Sequence, residues 1–304
     1  MKTTTLTLIL TLSFFSSCQS QTQATQNPND LEQINSIFDR IEVQGVDTKQ
    51  NLLYGYFFFD KDKSKLEKLK TDLVAQSYRF VELGKKENVE YMLHVEKIEK
   101  HTRQSLQKRE EDLRVLAGKH NISSFNGFDV GNADPTKPLV SNEGFARFMA
   151  TKNGNDLFDL GIKLYDLEIN DKAELVFREC LKQSVKPDTS AYKLGNTLIN
   201  ENRVQEGINH LVQATNYNPN YLSAFFNLGA TCYDNGQFQK SIDYYHQADK
   251  LKPNDDRIIY GMAASQYAIQ QYDKSLANCK KALQLNKDND NAKQLLQMLN
   301  GKTK

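Results

Sequence analysis

The chain has 304 residues, 39% hydrophobic and 25% charged, with a formal net charge of +1. That length suits about two domains of ~100–200 residues each. The balanced charge excludes a global basic field, so no nucleic-acid partner is expected, and the low counts of Gly (15) and Pro (6) favour regular structure over a disordered chain.

The N-terminus departs from the rest. Lys2 precedes an apolar run from Thr3 to Phe15, followed by Ser16, Ser17 and Cys18. This is the order of a secretory signal. The run is shorter than the ~20 apolar residues that span a bilayer. Phe15-Ser16-Ser17-Cys18 resembles a bacterial lipobox, with Phe15 where an aliphatic residue is usual. The resemblance implies cleavage before Cys18 and acylation of its thiol and new amine. Each buried methylene would add about 0.8 kcal/mol of membrane affinity. Gln19, not Asp, follows, which by the sorting rule of such lipoproteins implies the outer membrane, facing the periplasm. The alternative is a plain secretory signal. Residues 1–17 are therefore expected to be a signal peptide and 18–29 a polar tether.

Residues 30–130 form a mixed unit. Asp30 is expected to cap a helix carrying Leu31, Ile34, Ile37, Phe38 and Ile41, ended by Gly45. Leu52 to Phe59 is a continuous apolar and aromatic run, the mark of a central strand. Ser64 to Gln76 sets Leu66, Leu69, Leu73 and Val74 on one helical face. Tyr78 to Leu83 is a short strand. Tyr91, Leu93 and Val95 alternate with polar neighbours. Thr102 to His120 is a helix facing inwards through Leu106, Leu113, Leu116 and Ala117, and Ser124 to Val130 is a last strand. The order β-α-β-β-α-β predicts an α+β ferredoxin-like domain. Its first strand has large residues pointing both ways, so its second face needs cover from the preceding helix, the later repeats or a partner.

Tyr54, Tyr56, Phe57, Phe58 and Phe59, with Phe125-Asn126-Gly127-Phe128-Asp129 at the end, resemble the regulator of ribonuclease activity B family. Proteins of that family inhibit ribonuclease E by binding it. Their closing motif is like Tyr-Asp-Gly-Trp-Glu, and only Gly127 matches it strictly. The resemblance covers roughly Val46 to Val130.

Residues 131–153 are a linker with Pro135 and Pro138, then a helix capped by Ser141 and carrying Phe145, Phe148 and Met149. Beyond it the spacing dominates. Gly161, Gly195 and Gly229 are 34 residues apart, with Ala263 at the next step. Ala173, Gly207, Ser241 and Ser275 form a second column, and Cys180, Ala214, Ala248 and Ala282 a third. Pro219 and Pro253 share the period, and Pro187 lies two residues beyond it. Small residues at this interval mark close helix crossings. The pattern resembles the tetratricopeptide repeat (TPR). Four repeats fit, Gly154–Pro187, Asp188–Tyr221, Leu222–Asp255 and Asp256–Asn289, and Asp290–Asn300 is a capping helix. Residues 154–300 are thus expected to be an all-α TPR superhelix. The first repeat has Asn170 where an aromatic is usual.

In the TPR family, helix A of each repeat lines a concave groove for a peptide or protein. The resemblance places Phe158, Tyr165, Tyr192, Asn196, Phe226, Tyr233, Tyr260 and Tyr267 in that lining. The alternative is that the rings pack between repeats. No Lys/Asn/Arg set for gripping a peptide carboxylate stands out. No hydrolase triad, HExxH, Walker A or dinucleotide motif is present, so no enzyme, cofactor or metal site is expected. His94 and His101 straddle a strand end and are the one candidate metal pair. Lys61, Lys63, Lys65, Lys68 and Lys70 alternate with Asp62 and Glu67 as a solvated face. Cys180, Cys232 and Cys279 fall at core positions. The expected function is a non-catalytic, exported, lipid-anchored scaffold that binds partner proteins. The alternative is a protein inhibitor of ribonuclease.

Overall fold

The chain divides into two units, Met1–Phe148 and Met149–Lys304. The computed structural model describes residues 28–86, 90–134 and 137–302, with side chains from Leu31 onward. Cys18 and the signal segment lie outside these residues.

The first unit runs α1 (Pro28–Glu42), β1 (Leu52–Asp60), α2 (Lys63–Ala75), β2 (Arg79–Lys86), β3 (Glu90–Glu99), α3 (Arg103–Lys119) and β4 (Ser124–Gly131). The sheet order is β2-β3-β1-β4, and all neighbours are antiparallel. This is the split β-α-β arrangement expected of a ferredoxin-like unit. The caps explain where the helices start. Asp62 accepts from the Ser64 amide at 2.8 Å. Thr102 and Ser105 form a reciprocal capping box, at 3.1 and 2.8 Å. Asp30 is no cap, because α1 already begins at Pro28.

β1 turns successive side chains to opposite faces of the sheet. Leu52, Tyr54, Tyr56 and Phe58 are buried in one core with Leu66, Leu69 and Leu73 of α2 and Leu106, Leu113 and Ala117 of α3. Val74 points outward instead, one residue round the helix from Leu73. Ile34, Phe38 and Ile41 of α1 join the same core. Arg103 holds α1 beside α3, donating to the Asn35 carbonyl and to Asp39 and Glu42, each at 2.8 Å. The first helix therefore extends the helical layer and does not cover the sheet's second face. That face carries Leu53, Gly55, Phe57 and Phe59 opposite Ile98, Glu96, His94 and Met92.

Gly127 has a physical role. The β1–β4 register shifts between Tyr56 and Phe58, and Gly127 sits there with φ +79°. It is the bulge residue, in a conformation that L side chains rarely adopt. Asp129, two residues on, accepts from the Gly55 amide at 3.0 Å. A Cβ at Gly55 would clash with that carboxylate. His94 and His101 do not meet. The His94 ring stacks on Phe57 at 4.5 Å, while His101 lies edge-on to Tyr54 at 4.9 Å on the opposite sheet face. Among the described residues, no group of three or more His, Cys, Asp or Glu could hold a metal.

After α4 (Asn142–Ala150), whose Gly144 amide donates to Ser141 Oγ at 3.0 Å, the chain forms helix pairs. They are α5 (Gly154–Asp166) with α6 (Asn170–Lys182), α7 (Pro187–Asn200) with α8 (Val204–Tyr217), α9 (Leu222–Asp234) with α10 (Phe238–Leu251), and α11 (Asp256–Ala268) with α12 (Tyr272–Leu285). α13 (Asp290–Asn300) packs on α12. The small-residue columns meet where expected. A Cβ on Gly195 would lie 2.9 Å from the Gly207 carbonyl oxygen, and one on Gly229 would lie 2.8 Å from the Tyr245 ring. Ser241 and Ser275 add hydrogen bonds across the same crossings, donating to the Gly229 and Ala263 carbonyls at 2.7 Å each. A further column is conformational. Glu168, Asn202, Gly236 and Gln270, each in the turn between helices A and B, all have positive φ, between +57° and +72°. Only one of the four is glycine, so composition conceals this column. Among the described residues no helix is long and apolar enough to cross a membrane.

Candidate partner-binding face

Helix A of each repeat is amphipathic. Its small and aliphatic residues enter the repeat core, and the rings at positions five and twelve are half-buried or exposed except Phe158, which is buried. The helix-A rows touch directly, α5 with α7 and α9 with α11. A polar or cationic side chain bridges each successive junction. Lys193 of α7 lies over the Tyr165 ring of α5 at 4.3 Å. Asn227 of α9 donates through Nδ2 to the Tyr192 hydroxyl at 3.1 Å and to Asn196 Oδ1 at 2.9 Å, both on α7. Arg257 of α11 lies over the Phe226 ring of α9 at 5.5 Å.

The eight residues expected in the groove are not equivalent. Phe158 is a core residue, 6% exposed, packed edge-on against Phe177 at 6.1 Å and covered by Lys186 at 4.3 Å. The first repeat thus uses its ring to join helices A and B. Tyr165, Tyr192, Asn196, Phe226, Tyr260 and Tyr267 are half-buried. Tyr233 is the most open ring, 37% exposed. Tyr192 leans on Tyr221 at 5.0 Å and Phe226 on Tyr245 at 5.7 Å. Tyr233 packs against Phe238 at 5.6 Å and Tyr267 against Tyr272 at 5.5 Å. The rings therefore both brace the repeats and present an edge outward. Burial raises the phenol pKa of Tyr165 and Tyr260, which keeps both hydroxyls protonated and able to donate.

Asn227, Lys193 and Arg257 were not among the sequence expectations. Asn227 and Lys193 stand one residue after the ring column, so their position was legible, but their side-chain direction across the junction was not. Cys180, Cys232 and Cys279 are free and buried. Burial pushes the Cys180 thiol up to about 11 and raises the other two, so none is an activated thiolate. A shallow cleft of about 540 Å³ lies between α10 and α12, lined by Gln239, Asp243, His246, Lys274 and Asn278 among others.

Residues 31–130 match the family described as Regulator of ribonuclease activity B. Residues 222–255 match the tetratricopeptide repeat, the third repeat of the array. The chain carries a regulator of ribonuclease activity B domain followed by TPR repeats. No curated protein matches the sequence. Similar solved structures include MamA from Desulfovibrio magneticus RS-1, at 17% identity and TM-score 0.47, covering 49% of this chain and 84% of that one. A crystal structure of the MamA protein has 21% identity and TM-score 0.44, with 48% and 79% covered. The first TPR of Spaghetti bound to an HSP90 peptide has 15% identity and TM-score 0.37, with 38% and 91% covered.

Proposed function

We propose that this chain is a non-catalytic scaffold that binds a partner protein on the helix-A face of its TPR array, and that it is exported and held at a membrane by lipid on Cys18. The observation that carries the binding role is the row of half-buried rings at the outward positions of α5, α7, α9 and α11, locked in place across each junction. Aromatic side chains fixed by their neighbours give large contact area at little entropic cost. The test is a photo-crosslinking residue at Tyr233, compared with one at Tyr217 on α8, which is exposed on helix B. In native cells a discrete protein adduct at Tyr233 and none at Tyr217 is expected. Adducts of equal yield at both positions would defeat the proposal.

The export proposal rests on the order Lys2, apolar run, Ser16, Ser17, Cys18. Intact mass spectrometry of the native protein is expected to show an N-terminus at acylated Cys18. A mature chain retaining Met1, or beginning elsewhere unmodified, would exclude lipidation.

A second reading is favoured by the family match over 31–130: the first unit regulates a ribonuclease by binding it. Export would separate the domain from a cytoplasmic enzyme. Stoichiometric inhibition of ribonuclease E by the purified full chain, together with activity of a cytoplasm-only reporter fused to it, would establish this reading over the first.

A further inference from the structure

The first unit has an open sheet edge set in a cationic surface. We infer that β2 takes an extended, acidic segment of a partner protein, added as a further strand to the four-stranded sheet. The site lies in the first unit and is independent of the helix-A face.

The first observation is the backbone. β2 ends the sheet order β2-β3-β1-β4. An edge strand presents a row of N–H and C=O groups that point away from the sheet. Among the described residues, the β2 backbone pairs with β3 and with no other segment. The register slips between Phe80 and Glu82, and a bulge bends that end of the strand. Glu82 to Lys86 stays in unbroken register, close to the ~5–6 residues of an average strand. An extended main chain offers the complementary row of donors and acceptors, which is the basis of strand addition generally.

The second is apolar surface beside that row. Phe80 and Val81 are 44% and 40% exposed, and Val74 of α2 is 47% exposed. Lys70 lies over the Phe80 ring at 5.1 Å, and Val74 follows Lys70 by one turn on the same side of α2. These side chains give an added strand apolar contacts for its alternate residues.

The third is charge, and it selects the partner. Residues 63–86 hold seven Lys and Arg against three Asp and Glu, in a chain whose net charge is +1. Arg79 pairs with Glu96, and Lys86 with Glu82, but a paired cation keeps its charge. Lys85 and Lys86 are both exposed. Glu90, Glu96 and Glu99 belong to β3 and so stand one strand in from the edge. Two copies meeting edge to edge would bring like patches together, and lysine on an edge strand guards against such pairing. The same lysines favour a strand that carries carboxylates.

The experiment uses the full chain and four labelled probes. They are a peptide alternating glutamate and valine, the same peptide with every backbone amide N-methylated, a peptide alternating lysine and valine, and a single-stranded oligouridylate. Binding is read by fluorescence anisotropy, and its place by hydrogen–deuterium exchange across residues 79–86. The glutamate–valine peptide is expected to bind, more weakly as salt rises, and to slow exchange in β2. The N-methylated peptide lacks the pairing groups and the lysine–valine peptide has the wrong charge, so both should bind at least about tenfold more weakly. Lys85→Glu with Lys86→Glu changes two exposed side chains, so the variant should fold. It should lose the glutamate–valine peptide by at least about tenfold and gain the lysine–valine one. Absence of glutamate–valine binding, equal binding of its N-methylated form, or unchanged exchange in β2 would overturn strand addition. Glutamate–valine binding unchanged in the folded double variant would overturn the acidic class. Tighter binding of the oligouridylate at β2 would replace the protein partner with a nucleic acid. Self-association of the wild-type chain that the variant loses would assign the edge to a second copy instead.

Discussion

Glu99 of β3 gathers several partners in the first unit. Its carboxylate accepts from His101 at 3.0 Å, Arg109 at 2.8 Å and the Tyr56 hydroxyl at 3.4 Å, and Lys97 lies 3.3 Å away. Burial opposes its ionisation, but these partners outweigh that and hold its pKa down to about 2. A carboxyl depressed from 4.5 to about 2 contributes stability that is present above pH ~4.5 and lost as pH falls towards ~2, worth about 3 kcal/mol at neutral pH. Glu99→Gln should lower stability by an amount of that order at pH 7 and flatten the acid limb, as measured by denaturant unfolding at several pH values. Sequence could not reveal this site, because its partners come from a strand, a loop and a helix whose proximity is purely tertiary. Gly229 is the opposite case. Its column was visible, since only small residues survive a close helix crossing, and the structure sets the Tyr245 ring against it. Gly229→Leu should cost about 2 kcal/mol by overpacking, lowering the Tm of the array by about 4–8 °C in a thermal scan.

At the scale of the element, the helix pairs were legible because each repeat restates the same pattern, whereas the single copy of the mixed unit offered only periodicity. Periodicity alone misplaces the start of α1, at Asp30 instead of Pro28, and leaves open which of three elements covers the second sheet face, of which α1 is excluded by its packing in the helical layer. Strand order was legible through the element order, and Gly127 through its motif, but the bulge that requires it was not. The first repeat shows what the consensus does. In the third and fourth repeats a ring at the start of helix B, Phe238 or Tyr272, packs on Tyr233 or Tyr267. In the first, Asn170 stands there, and its buried Oδ1 has no partner. Arg203, just before α8, reaches Glu174 of α6 at 2.6 Å, a half-exposed contact of small value. Asn170→Tyr should restore a ring contact with Tyr165 and remove the orphaned oxygen. A gain of about 1 kcal/mol is expected, seen as slower amide exchange in α5 and α6. Unchanged exchange there would mean that Tyr165 is already fully braced by Lys193.

At the scale of the molecule, two units that match different families share one chain. The family match covers the first unit, while the repeat array supplies the second. Function resides in sites and not in folds, so a match to the ribonuclease-regulator family over residues 31–130 does not by itself assign the enzyme it would bind. The helix-A face of the array presents half-buried rings, with Lys193 and Arg257 lying over Tyr165 and Phe226. We propose that this face holds a partner protein. The measurement that tests this most directly is partner retention on the immobilised full chain, wild type against Tyr192→Ala with Tyr233→Ala, with far-ultraviolet circular dichroism on the same samples. The prediction is a loss of at least about fivefold in retained partner, the scale expected for removal of two anchors, with the helical signal preserved. Equal retention by two equally helical proteins would contradict it.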